Sequence, residues 1–165
     1  MRTVRSLLRG ATLLLLAVST AACSKSTSDR DLAYLRPSEA VEMANTPMGA
    51  LGSDGLPKVF WLDPRTEKEF EAAHIAKARS LPFPEIEKTH EVSCKGFDLF
   101  IVYDTDYDDV MAKAAAKRLM ELGYRKVYNI RGGLKAWKAD GYPIESGKTP
   151  VESGKTPAES GKTIE

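Results

Sequence analysis

The spacing of apolar residues changes its period several times along the chain. Phe100 to Tyr103 is an uncharged apolar run, as expected of a strand covered on both faces. Asp104 to Asp109 then places four carboxylates within six residues. From Val110 the period becomes helical. Met111, Ala115, Leu119 and Leu122 share one face, and Lys113, Lys117 and Glu121 lie off it. Asp108 or Asp109 is placed to cap this helix, where a carboxylate suits the positive end of the helix dipole. Gly123 stands where a left-handed C-terminal cap is expected. Val127–Ile130 is a second apolar run. Strand, helix and strand within about thirty residues predict a parallel crossover unit. In such sheets the working site lies at the C-terminal ends of the strands. This points to the loop Asp104–Asp109.

The preceding residues extend the same architecture. Leu32–Leu35 reads as a short edge strand, and Pro37–Ala44 as a helix with proline in its first turn. Asn45–Lys58 carries three glycines and two prolines and reads as a loop. Val59–Leu62 is a strand. Thr66 and Glu69 form a capping box ahead of a helix running to about Ala73. Pro82–Gly96 has no clear period and admits a short helix at Glu85–Lys88. Gly132 and Gly133 suit a tight strand-to-helix turn better than a phosphate cradle.

The two ends differ from this middle. Residues 1–22 place Arg2, Arg5 and Arg9 before a short apolar core, Ala11–Val18, followed by small residues. This is the pattern of a signal peptide, too short in its core for a membrane-spanning helix. Residues 23–30 read as a flexible tether rich in Ser and Thr. From residue 145 the chain repeats ESGKTPV, ESGKTPA, ESGKTIE, a nearly non-apolar stretch that predicts a disordered tail over 145–165. Its GKT does not make a phosphate loop. That motif needs four residues between its first glycine and GK, after a buried strand, whereas six separate Gly147 from Gly154.

The 165 residues are 42% hydrophobic with a formal charge of +1, normal for one globular domain. Without the three leader arginines, 21 of the 24 basic residues remain against 23 acidic ones. No nucleic-acid partner is expected from such a balance.

Two stretches resemble the signatures of the rhodanese-like domain family. The first, LDPRTEKEFEAAHIAKARSLPF, matches at Asp63, Arg65, Glu69, Phe70, His74, Ile75, Ala78 and Pro82. The second matches at Tyr103, Gly123, Tyr124, Val127, Tyr128, Asn129, Gly132, Gly133, Trp137, Gly141 and Pro143. Ala73 and Lys77 replace two usual glycines. The resemblance covers residues 31–144. It implies an α/β fold with a small, mostly parallel sheet of about five strands flanked by helices. It also implies that Asp104 stands where the family places its nucleophilic cysteine, and Asp109 where many members have an arginine. The loop then comprises Asp104, Thr105, Asp106, Tyr107, Asp108 and Asp109. Separately, the ending TAAC resembles a bacterial lipobox. This implies lipidation of Cys23 and, with Ser24 after it, an outer-membrane lipoprotein facing the periplasm. Ordinary cleavage after Ala22, giving a soluble periplasmic or secreted protein, is the alternative.

Sulfur transfer in the family needs a thiolate, held by loop amides and a helix N-terminus. A carboxylate at Asp104 cannot carry sulfane sulfur, though it can use the same amides to stay ionised. Two carboxylates about 6 Å apart repel by roughly 3 kcal/mol at an effective dielectric near 20, so the loop should reject anionic sulfur donors. The expectation is a non-catalytic binding or regulatory domain. Two alternatives are weighed against it. One is a sulfurtransferase using Cys94, which should lie towards the other end of the sheet. The other is a Mg²⁺-dependent hydrolase, because FIVYDTD resembles the first motif of haloacid-dehalogenase-type phosphatases, with Asp104 and Asp106 as its pair. Asp104, Asp106 and Asp108 are also candidate ligands for weakly bound Mg²⁺ or Ca²⁺, against the simpler reading of a solvated helix cap. His74 lacks a second ligand at metal spacing and reads as structural.

Overall fold

Proline 37 opens the first helix, Thr66 and Glu69 the second, and apolar runs supply the strands between. In the computed structural model, residues 27–47, 55–108 and 110–148 are described. The order is a short 3₁₀ turn (Asp29–Asp31), β1 (Ala33–Leu35), α1 (Pro37–Asn45), β2 (Val59–Asp63), α2 (Glu67–Ala72), β3 (His74–Ile75), β4 (Arg79–Ser80), α3 (Phe83–Ser93), β5 (Leu99–Val102), α4 (Val110–Glu121), β6 (Val127–Ile130), α5 (Gly133–Ala139) and β7 (Ile144–Glu145). The leader 1–22, Cys23, Ser24, Asp109 and the repeats beyond residue 148 lie outside the described residues.

Five strands form one sheet in the order β1-β6-β5-β2-β4, every pair parallel. β3 and β7 form a separate antiparallel pair. All four residues of β5 are buried, because helices cover both faces. Phe100 and Val102 pack with Phe60, Leu62 and the α3–α4 side chains Ile86, Ala112, Ala115 and Leu119. Leu99 and Ile101 face the other way, onto Ala40, Phe70, Leu134 and Trp137. Each fully buried Phe, Leu, Ile or Val side chain here contributes roughly 1.5–3 kcal/mol through apolar burial. The expected parallel α/β sheet is therefore the architecture found, and β5 lies at its centre with its C-terminal end free to carry a loop.

Several expectations are corrected. α3 runs for 11 residues, not the short turn at Glu85–Lys88. Its one fully covered side chain is Ile86, so little apolar period was present to read. α4 buries Ala112, Ala115, Ala116 and Leu119, with Met111 only partly covered. The buried face is thus turned slightly from the expected one, since small alanines let the helix approach the sheet. The tether is not wholly free. Asp29 sits in the 3₁₀ turn and pairs with Lys117 at 2.7 Å. The tail does not begin at 145, because Glu145 is paired with His74 in the β3–β7 ladder. Lys77, in place of the glycine of the resembled signature, takes a positive φ of 67°.

Candidate functional site

The site is built downward from the end of β5. Tyr103 follows the strand and is completely buried. Its hydroxyl accepts the Ile75 N–H at 3.2 Å. Burial, then the Asp63 charge, push its ionisation far above the usual tyrosine range, so it is a neutral phenol throughout. Asp63, at the end of β2, has no exposed surface. It accepts Arg65 Nε–H at 2.9 Å and Arg65 Nη2–H at 2.6 Å. Arg65 also donates to the Ala73 carbonyl at 2.8 Å and lies 5.8 Å from the Tyr103 ring centre. Burial opposes its charge, but the Asp63 carboxylate more than offsets that and holds the guanidinium above its ordinary pKa. The Asp63–Arg65 pair, with the Tyr103 bond to Ile75, ties β2, β3 and β5 together directly beneath the loop.

Asp104 comes next and is 9% exposed. One carboxylate oxygen accepts the Thr105 N–H at 2.7 Å, the other the Met111 N–H at 2.8 Å. The side chain therefore bridges the start of the loop and the first turn of α4. Sequence reasoning gave that capping role to Asp108 or Asp109. Asp108 does not perform it, since its side chain is exposed and its N–H is instead bonded to the Asp106 carboxylate at 3.1 Å. The loop backbone is fixed from the other side by α5. Leu134 N–H donates to the Asp104 carbonyl at 2.7 Å and Lys135 N–H to the Thr105 carbonyl at 2.9 Å. Such an approach needs glycine at the helix start. A Cβ on Gly133 would lie 2.1 Å from the Asp104 carbonyl oxygen.

This arrangement satisfies amides with the protein's own carboxylate. The oxygens of Asp104 aim at backbone N–H groups, which leaves the carboxylate an acceptor holding two chain segments together. Among the described residues no group of three or more His, Cys, Asp or Glu could hold a metal ion. Thr105, Tyr107 and Val110 are exposed around the loop, Tyr107 at 65% and Val110 at 66%.

Cys94 lies beyond the N-terminal end of β5, and the loop at the other end. Four strand residues separate the two ends by about 13 Å. The thiol is free and buried, with 2% of its surface accessible. Burial pushes its pKa up to about 11, partly opposed by a hydrogen bond with Tyr124. At neutral pH about one thiol in ten thousand is ionised at that pKa. A raised folded-state pKa gives stability that is present at neutral pH and lost as pH climbs from 9 towards 11. Alkylation of Cys94 by a neutral thiol reagent should accordingly be at least about 100-fold slower in the folded chain than in denaturant. Rapid labelling of native Cys94 at pH 7 would contradict this burial. His74 is structural as expected. Its Nδ1 lies 2.8 Å from the Phe70 carbonyl, and its ring stacks on Phe70 at 3.8 Å.

The features missed from sequence are the closeness of α5 to the loop and the long reach of Asp104. The adjacent Gly132–Gly133 pair was the available signal for the first. For the second there was none, because the amide it holds lies seven positions further along the chain. Asn129 was also unforeseen as a fully buried side chain whose amide has no partner among the described residues.

Comparison with known proteins agrees with this geometry. The model of the rhodanese-like domain family matches residues 49–140. A thiosulfate sulfurtransferase GlpE of Coxiella burnetii is 29% identical over 77 residues, covering 47% of this chain and 69% of that one. An uncharacterised protein of Buchnera aphidicola is 28% identical over 86 residues, 50% of this chain. The chain spans 57% of that relative's length. Among solved structures, a rhodanese-related protein of Thermoplasma volcanium superposes with a TM-score of 0.54 at 18% identity, covering 68% of this chain and 97% of the other. That likeness concerns the fold.

Proposed function

This chain belongs to the rhodanese-like domain family, and we propose that it is a non-catalytic member, a binding or regulatory domain of the bacterial cell envelope. One observation carries this reading. Asp104 opens the loop after β5, where the resembled signature places its nucleophilic cysteine, and its two oxygens are engaged by the N–H groups of Thr105 and Met111. A carboxylate so placed closes the anion-holding amides with its own charge and offers no sulfur to transfer. Tyr107 and Val110 give the loop rim an apolar, exposed surface suited to contact with a partner protein. The proposed organisation is a signal peptide over 1–22, a lipid-modified Cys23, a tether over 23–30, the domain over 31–144 and the repeat tail after it. Ser24 favours the outer membrane, facing the periplasm. Asp104, Thr105, Asp106, Tyr107, Asp108 and Asp109 are the proposed site residues.

Sulfur transfer through Cys94 is the second reading, and the name of the Coxiella relative is what favours it. The burial of Cys94 and its raised pKa weigh against it. A thiosulfate-to-cyanide assay separates the two. The wild-type chain should form no thiocyanate above the uncatalysed rate. Asp104→Cys should restore little, because Asp106 and Asp108 remain beside the new thiol, raise its pKa and repel the donor. Thiocyanate formation abolished by Cys94→Ser would replace the first reading with the second.

A further inference from the structure

The chain leaves the domain through a short segment whose contacts are mostly backbone. The Pro143 carbonyl accepts the Ala76 N–H at 3.3 Å and the Trp137 Nε1–H at 2.9 Å. Ile144 and Glu145 pair antiparallel with Ile75 and His74. A Glu145 carboxylate oxygen accepts the Lys77 N–H at 3.4 Å and lies 3.8 Å from His74 Nε2. Gly147, at a φ of 94° that favours glycine, donates its N–H to the Glu71 carbonyl at 2.7 Å. Lys148 Nζ lies 3.8 Å from the Glu71 carboxylate.

The sequence presents the same string twice more. Pro143-Ile144-Glu145-Ser146-Gly147-Lys148-Thr149 is followed by Pro150-Val151-Glu152-Ser153-Gly154-Lys155-Thr156, then by Pro157-Ala158-Glu159-Ser160-Gly161-Lys162-Thr163. Every group that holds the first copy recurs at the same place, including the glycine. Only the residue after proline varies, from Ile to Val to Ala. Ile144 is 43% exposed in its docked position, so shortening it removes little buried apolar surface.

We propose that the cradle formed by Glu71, His74–Lys77 and Trp137 is a docking site for a Pro–apolar–Glu–Ser–Gly–Lys segment, and that the second copy, Pro150–Lys155, replaces the first on the same molecule. The exchange trades like contacts for like. Its cost is one seven-residue loop, and loop entropy grows slowly with length. Tyr142 remains anchored, with its N–H on the Trp137 carbonyl at 3.2 Å and its ring 4.8 Å from that of Trp137. The tether keeps the second copy at a high local concentration, which favours the same molecule over a neighbouring one. The C-terminus is thereby gripped in alternative registers.

Amide exchange of the three repeat glycines in the full chain tests this. Gly147→Pro removes the donated N–H and forbids the positive φ. In that variant the Gly154 N–H should exchange about tenfold more slowly than an unstructured glycine, as expected when about 90% is docked. Protection of the Leu99–Val102 amides checks that the domain is folded. Should it be lost, Gly147→Ala serves instead, which keeps the N–H and disfavours the positive φ alone. Gly154 and Gly161 exchanging at unstructured rates in the folded variant would overturn the proposal. Slowed Gly154 exchange that reverts on dilution would overturn the same-molecule assignment.

Discussion

Gly133→Ala is expected to destabilise the domain by about 3–4 kcal/mol, by overpacking together with left-handed strain. The new Cβ would lie 2.1 Å from the Asp104 carbonyl oxygen and 3.1 Å from the Asp106 nitrogen. Both are backbone atoms, so no rotamer change relieves the clash. Gly133 also takes a φ of 52°. The loop must lift, and the bonds from Leu134 and Lys135 to the Asp104 and Thr105 carbonyls go with it. Such a loss is a large share of the roughly 5–15 kcal/mol that holds a domain together. Urea unfolding measures it. A Gly133→Ala chain within about 1 kcal/mol of wild type would mean that α5 does not press on the loop.

Arg65→Leu should cost about 3–5 kcal/mol, the usual penalty for leaving one member of a buried ion pair behind. Asp63 has no exposed surface and would keep, among the described residues, the backbone N–H of residue 65 at 3.1 Å as its hydrogen-bond partner. A carboxylate left buried without its cation is the source of the loss. The double variant Asp63→Asn/Arg65→Leu should recover much of the loss, because no buried charge remains. Additive losses would mean that the two side chains do not act as a pair. The network lies beneath the loop, so the same variants should loosen Asp104 and α4 before the outer strands.

Much of this architecture was legible because local and global signals agree. Phe100–Tyr103 has no charged member, and its strand is covered on both faces. Thr66 and Glu69 form their capping box as spaced. The weaker signals belong to elements held by distant contacts. α3 buries Ile86 alone, so no stripe announced it. α4 packs through alanines, whose small size carries the contact without marking the face. Asp108 looked like a cap because capping is normally local. Asp104 takes the Met111 amide from seven residues upstream, and sequence spacing cannot show that. β7 was hidden in a polar repeat because its bonds are made by backbone, which composition does not describe.

The central claim is that the loop after β5 is closed by its own carboxylate and carries no sulfur. Intact mass of the folded chain after incubation with excess thiosulfate tests it most directly. The account predicts no adduct, with neither Asp104 nor buried Cys94 gaining a sulfur atom. A mass increase of one sulfur, reversed by cyanide and lost in Cys94→Ser, would contradict it.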